Sequence, residues 1–97
     1  MSYLSRIRAA SEPDAQLTTV VSNMMGNPKF VEAIDSMIEA SKAAITLGHV
    51  THNDALLKFN TLCLSLFSAI KTKNEKAAIE AARALVSAGH GKAFGLA

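Results

Sequence analysis

The chain is predicted to be all-α, a compact bundle of four helices with a short N-terminal segment and a glycine-rich C-terminal tail. Most of its 49% hydrophobic content comes from residue types that favour helices, namely Ala, Leu, Ile and Met. Apolar residues recur at helical spacing, and strand-like alternation is nearly absent. Helix caps and glycines divide the chain at about residues 12–25, 28–47, 52–71 and 75–88. With 97 residues, we expect one helical domain over 1–97.

The first two helices are delimited by prolines that follow polar caps. The segment SEPD predicts the start of helix one, with Ser11 as the cap and Pro13 in the first turn. Gly26 is suited to end this helix, and the next begins at once with Asn27 as the cap and Pro28 at the first helical position. Helix two is expected to run to about residue 47, because a glycine follows. Residues 3–9 have helical spacing but lack a cap.

The last two helices have similar signals. Thr51 followed by Asp54 approximates a capping box, and helix three should run to about Lys71. Asn74 is the expected cap of helix four, and Gly89 the residue that ends it. The tail, residues 89–97, contains three of the five glycines and is expected to be partly mobile.

Helix three has apolar residues on two sides. One stripe suits a core and contains Leu56, Phe59, Leu62, Cys63, Leu66, Phe67 and Ile70. Leu57 and Leu64 lie together on another side, seven residues apart, and Asn60 separates them from the stripe. Either the N-terminal segment covers them, through Tyr3, Leu4 and Ile7, or a second chain does. We favour the second chain and predict a homodimer that self-associates through Leu57 and Leu64.

Helix one has an outer face without charge. Residues 15–28 contain no Asp, Glu, Lys or Arg. Charged residues are depleted at the centres of protein interfaces, and methionine adapts to varied partners. The alternative is that short polar side chains simply tolerate exposure to water. We predict a partner surface made of Gln16, Thr19, Ser22, Asn23, Met24 and Met25.

Three lysines lie near the turn between helices three and four. Lys71, Lys73 and Lys76 could contact an anion or a phosphate, although cations also favour a helix C-terminus for electrostatic reasons. The formal net charge of +2 is too small to imply a nucleic acid or an anionic membrane as the partner. A small DNA-binding or regulatory protein is therefore the alternative function and not the leading one.

Neither an enzyme nor a metalloprotein is predicted. Cys63 lies on an apolar face, and the nearest histidine in sequence, His52, is 11 residues away, or roughly 16 Å along a helix. His49, His52, His90 and Asp54 could meet at one end of the bundle, but no pair has the spacing of metal ligands on one helix. The acidic flank of Glu32, Asp35 and Glu39 contains Lys42 as well, which suits a solvated face. We expect no cofactor and no catalytic residue.

The leading hypothesis is a small non-enzymatic interaction protein that docks on a protein partner. An adaptor, an assembly factor and a virus- or plasmid-type inhibitor of a host machine all fit this class. The third hypothesis, after docking and DNA binding, is a carrier that binds an apolar ligand through Met24, Met25, Met37 and Phe67. We rank it last because a chain of this size has little core to give up for a cavity. A single cysteine, the lack of a signal-peptide run and the shortness of uncharged segments predict a cytoplasmic protein without a membrane span.

Overall fold

Four α-helices make up most of the computed structural model, which describes the backbone of residues 3–95 and the side chains of residues 15–95. The helices are α1 (Tyr3–Gly26), α2 (Pro28–Thr51), α3 (Asp54–Lys71) and α4 (Glu75–Leu85). A π-helical turn, Val86–His90, and a 3-10 turn, Gly91–Phe94, follow α4. Residues 3–95 contain no β-strand. The prediction of an all-α bundle of four helices is confirmed.

Helix α1 begins at Tyr3, earlier than the start predicted near residue 12. It runs through Pro13, although a proline inside a helix removes one main-chain hydrogen bond. Ala9, Ala10 and the arginines before them are strong helix formers and favour continuation of the helix. The side chains of residues 3–14, including Leu4 and Ile7, lie outside the described part, so the predicted N-terminal cover of α3 does too.

The start of α2 is as predicted, but its end is not. The side chain of Asn27 accepts hydrogen bonds from the N–H groups of Lys29 and Phe30, at 3.0 and 3.2 Å. Gly48 does not end the helix, because it lies buried within it. The helix runs on to Thr51 and ends at His52, which is left-handed with φ 53° and whose N–H donates to the carbonyls of Gly48 and His49.

The caps of α3 and α4 are both asparagines. Asn53, and not the predicted Thr51, caps α3 by accepting a 3.0 Å bond from the N–H of Leu56. Thr51 is unable to serve because it belongs to α2, where its hydroxyl donates to the carbonyl of Leu47 at 2.7 Å. Asn74 caps α4 as predicted, through a 3.1 Å bond from the N–H of Ala77.

Helix α3 is the central element, packed against α2 on one side and α4 on the other. Helix α1 lies mainly on α4 and less extensively on α2. Ala78 and Ala82 of α4 are fully buried, and their small side chains let the neighbouring helices approach closely. The core is completed by larger buried side chains from all four helices, namely Leu17, Val21, Ile34, Ile38, Leu66, Ile70 and Leu85.

The C-terminal segment folds back on this core. Gly89 has φ 95°, a left-handed conformation that suits glycine and marks the end of the helical run, as predicted. Val86 and Phe94 then pack against the core cluster. The predicted mobility of the tail remains a prediction. No helix in the described part of the chain is both long and apolar enough to cross a membrane.

Candidate functional site

Leu57 and Leu64, the residues predicted to self-associate, both contact their own chain. A methyl group added at Gly48 would lie 2.9 Å from Cγ of Leu57, so Leu57 packs directly on the α2 backbone. Leu64 is half-buried and packs against the core cluster. Helix α2 therefore covers Leu57. The homodimer remains a prediction. The argument that Leu57 and Leu64 lack a cover does not support it, because both residues pack within their own chain.

Asn60 explains why this side of α3 looked separate in the sequence. It was expected to separate Leu57 and Leu64 from the apolar stripe, but it is only 9% exposed, and its amide donates to the carbonyl of Leu56 at 2.9 Å. With its donor satisfied inside the same helix, the asparagine can lie among apolar side chains at little cost. A buried residue therefore joins the two apolar sides of α3, and Leu57 and Leu64 are themselves half-buried.

The predicted partner surface on α1 is partly exposed and partly packed. Gln16, Thr19, Ser22 and Asn23 are exposed along the helix. Met24 and Met25 are half-buried, and each lines a different concave surface. The uncharged face therefore lies between two recesses, which the linear sequence does not show.

The first recess lies where the two helix turns meet, and we name it the turn-end groove. It has a volume of about 440 Å³ and is lined by Met25, Gly26, Pro28, Val31, Ile70, Lys71 and Lys73. Val31 is 42% exposed and supplies apolar surface to this groove. The groove brings together residues from two separate predictions, the partner surface and the anion contact.

The three lysines do not form one basic patch. Lys71 places its Nζ 2.6 Å from Oδ1 of Asp35. Lys73 lies in the turn with φ 59° and borders the turn-end groove. Lys76 borders a different depression that also contains Glu75 and Glu80. Because these acidic groups lie so close, the surface is less suited to phosphate than the sequence indicated.

A second recess, which we name the apolar cleft, lies along the flank of the core and has a volume of about 390 Å³. Helices α1 and α2 contribute Val20, Met24, Phe30 and Met37 to its lining. Helices α3 and α4 contribute Phe59, Cys63, Leu66, Phe67 and Leu85. The C-terminal turns add His90, Ala93 and Phe94. The tail prediction missed these last residues, because nothing in a glycine-rich sequence shows where it folds back.

Cys63 and His90 both line this cleft, a meeting that the sequence interpretation did not foresee. Burial raises the pKa of the Cys63 thiol, since a thiolate is poorly solvated there. A nucleophilic cysteine needs the opposite shift, toward the thiolate. The His90 ring instead packs on Phe59, with ring centroids 4.6 Å apart and planes at 57°.

The other titratable groups remain dispersed. Among the described side chains, no three His, Cys, Asp or Glu residues come together in a way that could hold a metal ion. His49 and His52 are exposed near the end of α2, and His90 faces the cleft. Lys42 and Glu39 form an exposed pair at 3.5 Å, which contributes little to stability.

Comparison of the chain with protein-family models, with curated proteins and with solved structures gives no match. The proposed function therefore rests on the turn-end groove and on the side chains that line it.

Proposed function

We propose that this chain is a small non-enzymatic interaction protein that docks on a protein partner through the turn-end groove. The observation that carries the proposal is the meeting of apolar and basic side chains in one recess. Met25 and the exposed Val31 supply apolar surface, while Lys71 and Lys73 border it. Specific protein interfaces have this organisation, with an apolar centre and a polar rim.

The groove favours a partner segment that pairs an apolar side chain with a carboxylate. An apolar anchor would cover Val31 and Met25, and the flexible thioether can adjust to its shape. An acidic residue beside the anchor would face Lys73, which has no ion-pair partner among the described residues. Opposite charge at the rim adds more to partner choice and association rate than to affinity.

The uncharged face of α1 extends this surface. Ser22 and Met25 are three residues apart, so they lie on the same side of the helix. The Ser22 hydroxyl donates to Oε1 of Glu75 at 3.2 Å, so the carboxylate of Glu75 lies at the edge of this face. Gln16, Thr19 and Asn23 continue the exposed face along α1 and can form hydrogen bonds with a partner.

DNA binding remains the alternative, with less support. Lys71 is already paired with Asp35, and Lys76 lies beside two glutamates. A protein that tracks phosphates needs several free cations on one face. A cytoplasmic location is part of the same proposal, because the single cysteine suits a reducing compartment.

Capture from the native cell tests the proposal and its alternative together. The full chain would be immobilised and the bound proteins quantified by mass spectrometry, with and without nuclease. Docking on a protein predicts one stoichiometric partner whose recovery nuclease does not change. Loss of all recovered material after nuclease treatment would support DNA binding instead.

Charge reversal at the rim gives the matched comparison. Lys73→Glu should reduce recovery of the partner roughly fivefold, or about 1 kcal/mol, because the acid on the partner would meet a like charge. Lys58→Glu makes the same chemical change at an exposed position of α3 outside the groove and should leave recovery unchanged. Equal recovery by both variants would argue against a basic rim in docking.

A further inference from the structure

The apolar cleft is a second site that shares no lining residue with the turn-end groove. Leu66 and Leu85 line it and are still only 3% exposed. The cleft therefore lies beside an intact core and does not interrupt it. This arrangement removes the reason for ranking a ligand carrier last, which was that a short chain has no core to spare.

The charge of the lining restricts what the cleft can hold. None of the described side chains that line it is Lys, Arg, Asp or Glu. A charged ligand group placed there would lose its water without gaining an ion-pair partner, which is unfavourable. The lining is otherwise apolar apart from His90 and Cys63, which can form single hydrogen bonds. The occupant should therefore be uncharged, with few polar atoms.

The size of the cleft and the aromatic rings that line it further restrict which ligand it can hold. An apolar cavity of about 150 Å³ in an engineered protein holds benzene, so about 390 Å³ has room for roughly two or three fused rings. Phe30 and Phe67 line the cleft with their ring centroids 6.3 Å apart and their planes at 57°. Met24 and Met37 add thioethers, which make favourable contacts with aromatic rings.

From these features we infer that the apolar cleft binds a small uncharged aromatic molecule of roughly two or three rings. The ligand lies between the phenylalanines of α2 and α3 and the wall formed by His90, Ala93 and Phe94. This activity is additional to docking on a protein and does not depend on it, because the two sites are separate.

A fluorescence titration with N-phenyl-1-naphthylamine, a neutral aromatic probe, tests the inference on the full chain. Saturable binding of one probe per chain is expected. Ala93→Phe should weaken it at least about tenfold, since Ala93 is an exposed residue of the lining and a ring there fills the cleft. Ala88→Phe places the same ring on an exposed position outside the cleft and should bind the probe like the wild type.

Cys63 provides a readout in the unmodified protein, because it is the only cysteine and lines the cleft. Saturating probe should slow the reaction of its thiol with N-ethylmaleimide several-fold. The sulfonated analogue 1-anilinonaphthalene-8-sulfonate should bind at least about tenfold more weakly than the neutral probe, because its charge finds no partner.

Several results would overturn the inference. Unsaturable binding, equal binding of the neutral and sulfonated probes, or an unprotected thiol would each show adsorption to apolar surface. Tighter binding of 1-decanol than of the naphthyl probe would contradict an aromatic ligand. If no probe binds and Ala93→Phe abolishes recovery of a protein partner, then a partner's side chain occupies the cleft.

Discussion

Gly48 is a residue at which α2 and α3 pack closely together. A side chain there would meet both Cγ of Leu57, at 2.9 Å, and its backbone nitrogen, at 3.3 Å. The ion pair of Asp35 with Lys71 lies farther along the same helix pair and requires the same antiparallel register. In this register residue 41 lies level with residue 64, and Ser41 is a buried small residue. At Gly48, the absence of a side chain on α2 therefore provides the space that Leu57 of α3 occupies.

We predict that Gly48→Ala lowers the free energy of unfolding by up to about 2 kcal/mol. Alanine is more favourable than glycine in a helix by about 1 kcal/mol, but overpacking costs about 1–3 kcal/mol. The added methyl group would meet both the side chain and the backbone nitrogen of Leu57. Urea unfolding followed by circular dichroism measures the change. Gly26→Ala is the control, since nothing lies within 4 Å of its added methyl group, and it should not destabilise the chain.

A double variant, Gly48→Ala with Leu57→Ala, tests whether the contact between these two residues causes the loss of stability. In a Leu57→Ala background the two side-chain contacts disappear and only the contact with the backbone nitrogen, at 3.3 Å, remains, so Gly48→Ala should destabilise the chain less than in the wild type. An equal loss in both backgrounds would mean that Leu57 does not pack on Gly48.

The Cys63 thiol is predicted to react more slowly with N-ethylmaleimide than a free cysteine does. Burial raises its pKa, so less thiolate is present near pH 8. Because the folded state favours the protonated thiol, the raised pKa makes a contribution to folding stability that depends on pH. That contribution is complete below the unfolded pKa of about 8.5 and is lost as pH rises through the folded pKa. A reaction midpoint below pH 8.5 would contradict the burial.

At the scale of helices, local chemistry predicts the caps of α2 and α4 and the ends of α1 and α3, but not the start of α1, the cap of α3 or the end of α2. Asn27 and Asn74 were predicted as caps from sequence and do cap α2 and α4. Between α2 and α3, Thr51 and Asn53 were both suitable caps by local chemistry. The contact of Gly48 with Leu57 favours the longer α2, and a tertiary contact of this kind is not visible in local sequence.

Helix α3 shows the same limit on its faces. Its stripe was predicted correctly as core, with Cys63, Leu66 and Ile70 buried. The side that contains Leu57 and Leu64 was expected to be covered by the N-terminal segment or, as we favoured, by a second chain. In the structure Leu57 packs on α2 and Leu64 on the core cluster, and the homodimer stays a prediction. A helical wheel shows which residues share a side of one helix, but not how many neighbouring helices cover it.

Leu64→Glu is therefore predicted to destabilise the fold. A carboxylate in place of a half-buried leucine that packs against the core should lower the free energy of unfolding by roughly 2–4 kcal/mol. Leu47→Glu is the control, because Leu47 is 54% exposed and should change stability by no more than about 0.5 kcal/mol. Denaturant unfolding with light scattering measures both. If Leu64→Glu keeps the stability of the wild type but has a smaller mass by light scattering, Leu64 would lie in a dimer interface and not against the core.

At the scale of the whole molecule, packing creates surfaces that no single helix contains. Met25, Lys71 and Lys73 were each singled out from sequence, but under two different hypotheses, and they meet only because two turns lie side by side. The apolar cleft was harder to predict, since its wall comes from a tail expected to be partly mobile. Individual residues of the groove could therefore be singled out from the sequence, whereas which of them lie together depended on how the helices pack.

Two valines of α2 provide the sharpest test of whether the turn-end groove docks on a protein partner. Val31 is 42% exposed within the groove, and Val50 is 72% exposed outside it. In quantitative capture from native cells, Val31→Glu should reduce recovery of the partner at least about tenfold, because a charge would replace apolar contact surface. Val50→Glu, the same change on the same helix, should recover the partner like the wild type. Undiminished recovery by Val31→Glu would contradict docking at this groove.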